Sequence, residues 1–402
     1  TNLHLLRTLP LRELKLDRTD HLSSLESLRG LHLASFTLSR SSFADLTPLA
    51  GMPLEKLTLY NNKDLIDLSA VADCPISELR LSISKIGNLD ALRGMSLEKL
   101  SIKSCNQLAG LPEFEMRRLT SLILERLGPL DLSVLTNQPI ERVSLKKMPV
   151  EDLGWMEDLP LTQLILVDCP ELTDLSPVQN MRLERLEIRK MPGINDLSSL
   201  IGMESLTNFV GESCMIFDRG TAAFQEGRFT DAATSVEQAL ADYQSIPAFA
   251  PLCRAVENWP GLLRRWADGD RTLPDGAADF QGRSYLFVPF RMARRDAQVF
   301  AESVGARLVS LFSEAENDWL AEAFDLPSFR VWLSGTDHGT EGRWRWEGRE
   351  KWSFENWATD KPVKNRKTNY LTWVKHPGAG NVWQPASGEE RLAFILEWET
   401  GP

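Results

Sequence analysis

The 402-residue chain holds almost nothing from which an active site is usually built. Its five histidines, His4, His21, His32, His338 and His376, fall into no H-E-x-x-H, H-x-H or cysteine-paired arrangement, and no G-x-S-x-G or phosphate loop occurs. His338 in "TDHGTEG" and His376 in "VKHPGAG" sit in turn-rich stretches and read as solvated. Cysteine is scarce: Cys74, Cys105, Cys169, Cys214 and Cys253 are odd in number and show no C-x-x-C spacing, which argues against a disulfide framework or a zinc site. No apolar run approaches the ~18 residues that crossing a bilayer requires. A net charge of -11 and a pI near 5.2 argue against nucleic acid as the main partner. The chain starts Thr1-Asn2-Leu3, without an initiator Met or the charged, apolar, small order of a signal peptide. It reads as part of something longer, with any catalytic domain expected before Thr1.

What is present is 43% hydrophobic and 25% charged, the balance of a globular protein, at a length that suits two or three domains. Leucine recurs as L-x-x-L-x-L: "LRELKL" at Leu11, "LEKLTL" at Leu54, "ISELRL" at Ile76 and "LEKLSI" at Leu97. Variants begin at Leu33, Leu119, Ile140, Leu161 and Leu183, with a frayed copy at Leu206, a step of 21 to 23 residues. That period implies one short strand per turn, its leucines stacked on those of the next. A second signature accompanies it: "DLTPL" at Asp45, "DLSAV" at Asp67, "DLSVL" at Asp131, "DLSPV" at Asp174 and "DLSSL" at Asp196, where Asp can cap the return segment.

Residues 3 to 210 thus resemble the leucine-rich-repeat family, with one departure. Where that family usually places Asn, this chain has Thr19, Ser41, Asn62, Ser84, Cys105, Leu127, Met148, Cys169 and Met191, a polar ladder giving way to apolar stacking. Cys105, Cys169 and Cys74 then read as core residues. The concave face is expected to carry Arg12, Glu13, Glu55, Lys56, Glu78, Arg80, Glu98, Lys99, Glu141, Arg142, Glu184 and Arg185. This alternation fits either cross-strand charge pairing or a protein-docking surface, and Tyr60 stands almost alone there as an aromatic.

From Phe217 the period becomes helical: "FDRGTAAFQEGRFTDAATSVEQALADYQS" is similar to one tetratricopeptide hairpin turning at Gly227, expected to cap the open end of the repeats. "RTLPDGAADFQG", residues 271 to 282, then leads to a segment with nine of the twelve tryptophans. "VWLSG" at Val331, "EGRWRWEGREKWSFENW" and "LAFILEWE" resemble the C-type lectin-like domain over residues 280 to 400, and Ser313 with Glu316 reads as a capping box.

Two departures qualify that resemblance. The positions that match the family's cysteines hold Ala301, Leu371, Ala386 and Leu396, which favours a reducing compartment and a cytoplasmic location, with an extracellular one as the alternative. The family's E-P-N and W-N-D calcium motifs correspond to Lys361-Pro362-Val363 and Trp383-Gln384-Pro385, a set without the carboxylate oxygens calcium needs. No cofactor or metal is therefore expected. The loop still gathers Lys361, Lys364, Arg366 and Lys367 near Trp352, Trp357, Trp373 and Trp383. It reads either as a solvated insertion or as an anion-favouring protein contact.

The expected fold is multidomain, α/β and α+β: a leucine-rich-repeat solenoid over 1–212, a helical capping and linker segment over 213–270, and a C-type lectin-like domain over 276–402. The expected function is non-enzymatic recognition of a protein ligand through the lectin-like loop face, the concave face or both, as the sensor of a larger effector system. The resemblance extends to bacterial multidomain proteins of that kind. The alternatives are calcium-independent carbohydrate binding and a structural spacer.

Overall fold

The computed structural model describes residues 6, 9–19, 22, 24–111, 117–211, 213–270, 272, 277–324, 329–348, 351–359, 362, 365, 367–376 and 380–399. The chain packs as two compact units, Thr1–Asn195 and Asp196–Pro402. A ten-stranded parallel sheet runs in chain order. Its strands are β1 (Glu13–Asp17), β2 (Ser35–Ser39), β3 (Lys56–Tyr60), β4 (Glu78–Ser82), β5 (Lys99–Lys103), β6 (Ser121–Glu125), β7 (Arg142–Lys146), β8 (Gln163–Val167), β9 (Arg185–Arg189) and β10 (Asn208–Val210).

The register advances by one sequence repeat per strand, pairing Leu57 with Leu79, Leu79 with Leu100 and Leu100 with Leu122. Strands β2 to β9 therefore bury two equivalent apolar rows, whereas Leu14 and Leu16 of β1, with a neighbour on one side, are only partly buried. The Asp signature closes each return: Oδ1 of Asp45, Asp67, Asp131 and Asp174 accepts the N–H two residues on, at 2.8 to 2.9 Å, opening a short 3-10 turn. Asp152 does the same for Gly154 at 2.9 Å, a member of the set that its "DLGWM" sequence disguised.

The ladder position is buried in every repeat from Thr19 to Met191. At its polar end Ser41 Oγ donates to Asn62 Oδ1 at 2.7 Å, and Asn62 Nδ2 donates to the Leu38 carbonyl at 2.9 Å. Ser84 meets Cys105 Sγ at 3.3 Å, and beyond it Leu127, Met148, Cys169 and Met191 pack without comparable bonds between hydroxyl and amide groups.

One regularity had no sequence signature. The residue after each of β1 to β9 is left-handed: Arg18, Arg40, Asn61, Ile83, Ser104, Arg126, Lys147, Asp168 and Lys190 have φ of 52° to 58°. In that conformation the N–H turns to the last carbonyl of the next strand, as from Asn61 to Ser82 at 2.7 Å and from Ile83 to Lys103 at 2.9 Å. The hydrogen bond offsets a conformation that costs an L-residue about 1–2 kcal/mol.

The expected acid and base row is split. Glu13, Lys56, Glu78, Arg80, Lys99, Arg142 and Arg185 lie on the strands, whereas Arg12, Glu55, Glu98, Glu141 and Glu184 stand one residue before them. Their backbone explains the offset: the Glu55 carbonyl accepts from both Ser77 and Glu78, and Glu98 and Glu141 repeat the fork at intervals of two strands. Cross-strand pairing does occur, Lys56 with Glu78 at 3.7 Å and Lys103 with Glu125 at 3.2 Å.

Among the described residues the second unit contains six α-helices, of which the first four are α1 (Asp218–Gln225), α2 (Phe229–Tyr243), α3 (Ala250–Ala255) and α4 (Trp259–Ala267). Gly227, with φ of 74°, makes the tight turn between α1 and α2. There follow β11 (Ala278–Phe280), β12 (Arg283–Met292), α5 (Arg294–Ser303), β13 (Arg307–Leu308), α6 (Glu314–Ala323), β14 (Phe329–Thr336), β15 (Arg345–Trp346), β16 (Tyr370–His376), β17 (Gly380–Ala386) and β18 (Leu392–Glu399). These strands form a sheet of order β11-β12-β18-β14-β16-β17, with β13 on β18 and β15 on β14. β18 pairs antiparallel with β12 and parallel with β14.

The apolar face of the hairpin is covered within this unit. Phe224 of α1 stacks on Phe290 of β12, Trp259 meets the same ring edge-on, and Trp266 of α4 lies against Phe300 of α5. Arg291 and Asp218 close the contact as a largely buried ion pair, Nε to Oδ1 at 2.9 Å. Gly220 suits this close approach, because a Cβ there would sit 3.0 Å from Ser235 Cβ and 3.1 Å from the Phe290 ring and would press on both.

Candidate functional site

The site is built on β16 and β17, a hairpin whose facing residues include Trp373 opposite Trp383. Both rings are fully buried, as are Trp332 and Trp346. Residues 371–374 of β16 are buried on both faces of the strand, so these tryptophans are core. Trp373 and Trp383, expected among the ligand contacts, instead form the floor beneath them.

The segment before the basic loop is laid on that floor by its backbone. Trp383 N–H donates to the Asn356 carbonyl at 2.7 Å, Ala358 N–H donates to the Trp383 carbonyl at 3.0 Å, and Asn356 Nδ2 reaches the Asn381 carbonyl. Trp357 and Trp383 form an isolated parallel bridge, and Trp383 becomes the hub of an aromatic cluster. Trp346, Trp352 and Phe354 approach its ring at centroid distances of 5.5, 5.6 and 5.3 Å, the last edge-on at 88°.

Trp344, Trp352 and Trp357 remain half-exposed on top of this hub. Their orientation is set by one carboxylate: Trp352 Nε1 donates to Glu355 Oε1 at 2.7 Å and Trp357 Nε1 donates to Glu355 Oε2 at 3.2 Å. Trp344 packs edge-on against Trp357 at 5.1 Å. Trp344 and Glu355 are thus site residues that composition alone did not separate from the other tryptophans and acids. The i, i+2 and i, i+3 spacings of Glu355 from the two indoles were the available signal.

Of the four loop cations, Lys367 is exposed, with its backbone N–H bonded to Asn365 Oδ1 at 3.1 Å. Lys361, Lys364 and Arg366 lie outside the described residues. Behind the site Arg294 is buried, bonded to Gln298 Oε1 at 3.1 Å and to Glu347, with its guanidinium 5.6 Å over the Tyr370 ring. Burial lowers its pKa, and the Glu347 carboxylate acts in the opposite direction. It ties α5 to the strand ends that carry the loop, and so is structural support.

Support continues on the opposite side of the sheet. Glu397, with no exposed side chain, accepts from Arg283 at 2.8 Å, Arg307 at 3.1 Å and the Ser310 N–H at 3.0 Å. Ser313 caps α6 by accepting the Glu316 N–H at 3.2 Å. Glu316 does not return to Ser313, as a capping box would have it, but takes the Tyr285 hydroxyl at 2.6 Å and the Phe312 N–H at 2.8 Å.

The four positions matched to family cysteines, Ala301, Leu371, Ala386 and Leu396, are all fully buried and packed. The five cysteines elsewhere are buried free thiols, and burial pushes Cys253 up to about 11. Among the described residues no three His, Cys, Asp or Glu side chains converge as a metal-binding group. No described helix is long and apolar enough to cross a membrane.

Part of this unit has counterparts among known proteins. The family model described as "Lectin C-type domain" matches residues 291–387. C-type lectin domain family 17, member A, of Homo sapiens is 30% identical over 143 residues, covering 35% of this chain and 35% of that protein. Perlucin of Haliotis laevigata is 27% identical over 75 residues, covering 19% of this chain and 48% of that protein. The chain thus spans about a third to a half of the length of these two relatives. Among solved structures, human lithostathine is 21% identical with a TM-score of 0.30, covering 32% of this chain and 99% of that one. Residues 291–387 are a C-type lectin-like domain.

Proposed function

We propose that the chain is a non-enzymatic recognition module that binds a protein ligand through the face formed by Trp344, Trp352 and Trp357. The observation that carries this reading is the pair of indole N–H groups held by Glu355, which fixes two half-exposed rings before any ligand arrives. Rigid aromatic side chains lose little entropy on binding and are enriched at interface hot spots. Lys367, exposed on the loop that follows Trp357 in the chain, fits a ligand with acidic character.

In the same reading, residues 1–212 are a leucine-rich-repeat solenoid acting as the second recognition surface of a larger effector system. The Lys361-Pro362-Val363 and Trp383-Gln384-Pro385 stretches support binding without calcium, since they supply few oxygen ligands and no carboxylate. Packed apolar residues at the family's disulfide positions support a reducing, cytoplasmic setting.

Half-exposed indole faces also suit a sugar ring, which makes calcium-free carbohydrate binding the second reading. The two separate in one experiment with the full chain, captured on a surface in chelator and offered candidate protein ligands and a glycan array. A protein partner lost in Trp352→Ala and Trp357→Ala supports the first reading. Retention of glycans alone rejects it.

A further inference from the structure

We propose that the outward face of β3 to β7, with a groove over β3 to β6, is a separate docking site for an acidic, extended segment of a protein partner. The inference rests on the reading of the chain as a protein-recognition module but uses none of the lectin-like residues. The groove has a volume of about 350 Å³, within the range of ligand sites, and runs across four parallel strands. Its floor is made of short side chains, Thr58, Ser101 and Ser121, with Ile123 as an apolar patch. Tyr60 stands at one end, 46% exposed and the most exposed aromatic of the sheet.

The charge of this face opposes that of the chain. Over β3 to β7 the outward strand positions carry Lys56, Arg80, Lys99, Lys103, Arg142 and Lys146 against two carboxylates, Glu78 and Glu125. Both carboxylates are already engaged: Glu78 by Arg80 and Lys56, and Glu125 by Lys103. Lys99, Arg142 and Lys146 have no ion pair among the described residues. A chain of net charge -11 thus presents an excess of cations here. Such a local field attracts an anionic partner that the rest of the molecule repels.

The edges of the sheet give the groove a direction. Glu55, Glu98 and Glu141 stand just before the strands that begin with Lys56, Lys99 and Arg142, whereas Lys103, Arg126, Lys146 and Lys147 line the strand ends around one carboxylate, Glu125. An acidic segment is therefore held toward the strand ends, with its apolar residues over Ile123 and the Tyr60 ring.

The spacing of the cations selects an extended chain rather than a compact anion. Neighbouring strands lie ~4.8 Å apart, so Lys103 on β5 and Lys146 on β7, which flank the Lys103-paired Glu125 of β6, are separated by roughly 10 Å, the reach of about three extended residues. A single phosphate needs donors converging on one point, and these side chains are spread along a line.

The test uses the full chain and a fluorescein-labelled glutamate-rich peptide with one central leucine, titrated by fluorescence anisotropy. Saturable binding is expected, weakened at least ~10-fold by Lys99→Glu with Lys103→Glu and also reduced by Tyr60→Ala. Arg295→Glu, an exposed cation on α5, should leave it unchanged, as should Trp352→Ala, which isolates this groove from the lectin-like face. Circular dichroism of each variant checks that the sheet is intact. Absence of saturable binding, an equal loss in Arg295→Glu, or complete competition by equimolar inorganic triphosphate would overturn the proposal, the last by assigning the cations to a small anion.

Discussion

Phe224 of α1 and Phe290 of β12 lie nearly face to face, their centroids 4.1 Å apart and their planes 19° from parallel. Both are fully buried, and Trp259 and Phe300 pack against the same pair. The helices are therefore part of the hydrophobic core that the lectin-like strands close. Phe224→Ala is expected to destabilise Asp196–Pro402 by about 3–5 kcal/mol. A chain shortened to residues 276–402 would expose Phe290 and Phe300 and should aggregate or melt well below the full protein. Denaturation followed by tryptophan fluorescence measures both, and an unchanged midpoint for Phe224→Ala would contradict this packing.

The strand rhythm was legible in the sequence because burial repeats with it: two leucines inward per turn leave a period that composition cannot hide. The Asp turns were legible for a similar reason, since Asp45, Asp67, Asp131 and Asp174 act on residues two positions away. Long-range pairings were not. Nothing local in "TAAFQEG" announces that Phe224 will stack on Phe290, and nothing in a tryptophan's own identity separates buried Trp383 from half-exposed Trp352. The left-handed residues were invisible because arginine, lysine, serine and isoleucine all occupy them.

Ile83 is the least suitable of those occupants. It is β-branched, 37% exposed and held at φ of 54°, where Asn and Gly are tolerated and branched side chains are outliers. The preceding repeat already uses Asn61 at the equivalent place. Ile83→Asn should keep the N–H bond to Lys103 and stabilise the sheet by about 1 kcal/mol. Urea denaturation of the two proteins checks the sign, and a loss of stability would mean that the Ile83 side chain contributes more by packing than its exposure indicates.

Asn62 joins two repeats through bonds that no solvent can replace. Its side chain accepts from Ser41 and donates to the Leu38 carbonyl, and it is fully buried. Asn62→Leu strands a hydroxyl and a carbonyl and should cost about 1–3 kcal/mol. The double variant with Ser41→Ala should recover part of that loss, because one orphaned partner is removed. A double-mutant cycle by chemical denaturation reads the coupling directly.

The Asp turns predict how the repeats respond to acid. Hydrogen bonds from the Thr47 and Ser69 side chains and N–H groups hold Asp45 and Asp67 below the ordinary aspartate value, and the same contacts from Ser133 and Ser176 lower Asp131 and Asp174. With folded pKa values below unfolded ones, the unfolded chain binds more protons in the window between them. The stabilisation is present above about pH 4 and is lost as pH falls through the folded values. Asp67→Asn with Asp131→Asn should flatten this acid limb, while leaving the neutral-pH melt only slightly changed.

The aromatic hub offers the sharpest separation between support and contact. Trp383 is fully buried and touches Trp346, Trp352, Phe354 and Trp357, so Trp383→Ala should destabilise the domain by about 3–5 kcal/mol and abolish binding indirectly. Glu355 is exposed, and its carboxylate only orients two indoles. Glu355→Ala should therefore leave the denaturation midpoint within about 0.5 kcal/mol of the parent while weakening ligand binding, because Trp352 and Trp357 must then be ordered at the moment of association. A loss of stability equal to that of Trp383→Ala would make Glu355 part of the core support, and unchanged affinity at unchanged stability would remove the two rings from the contact surface.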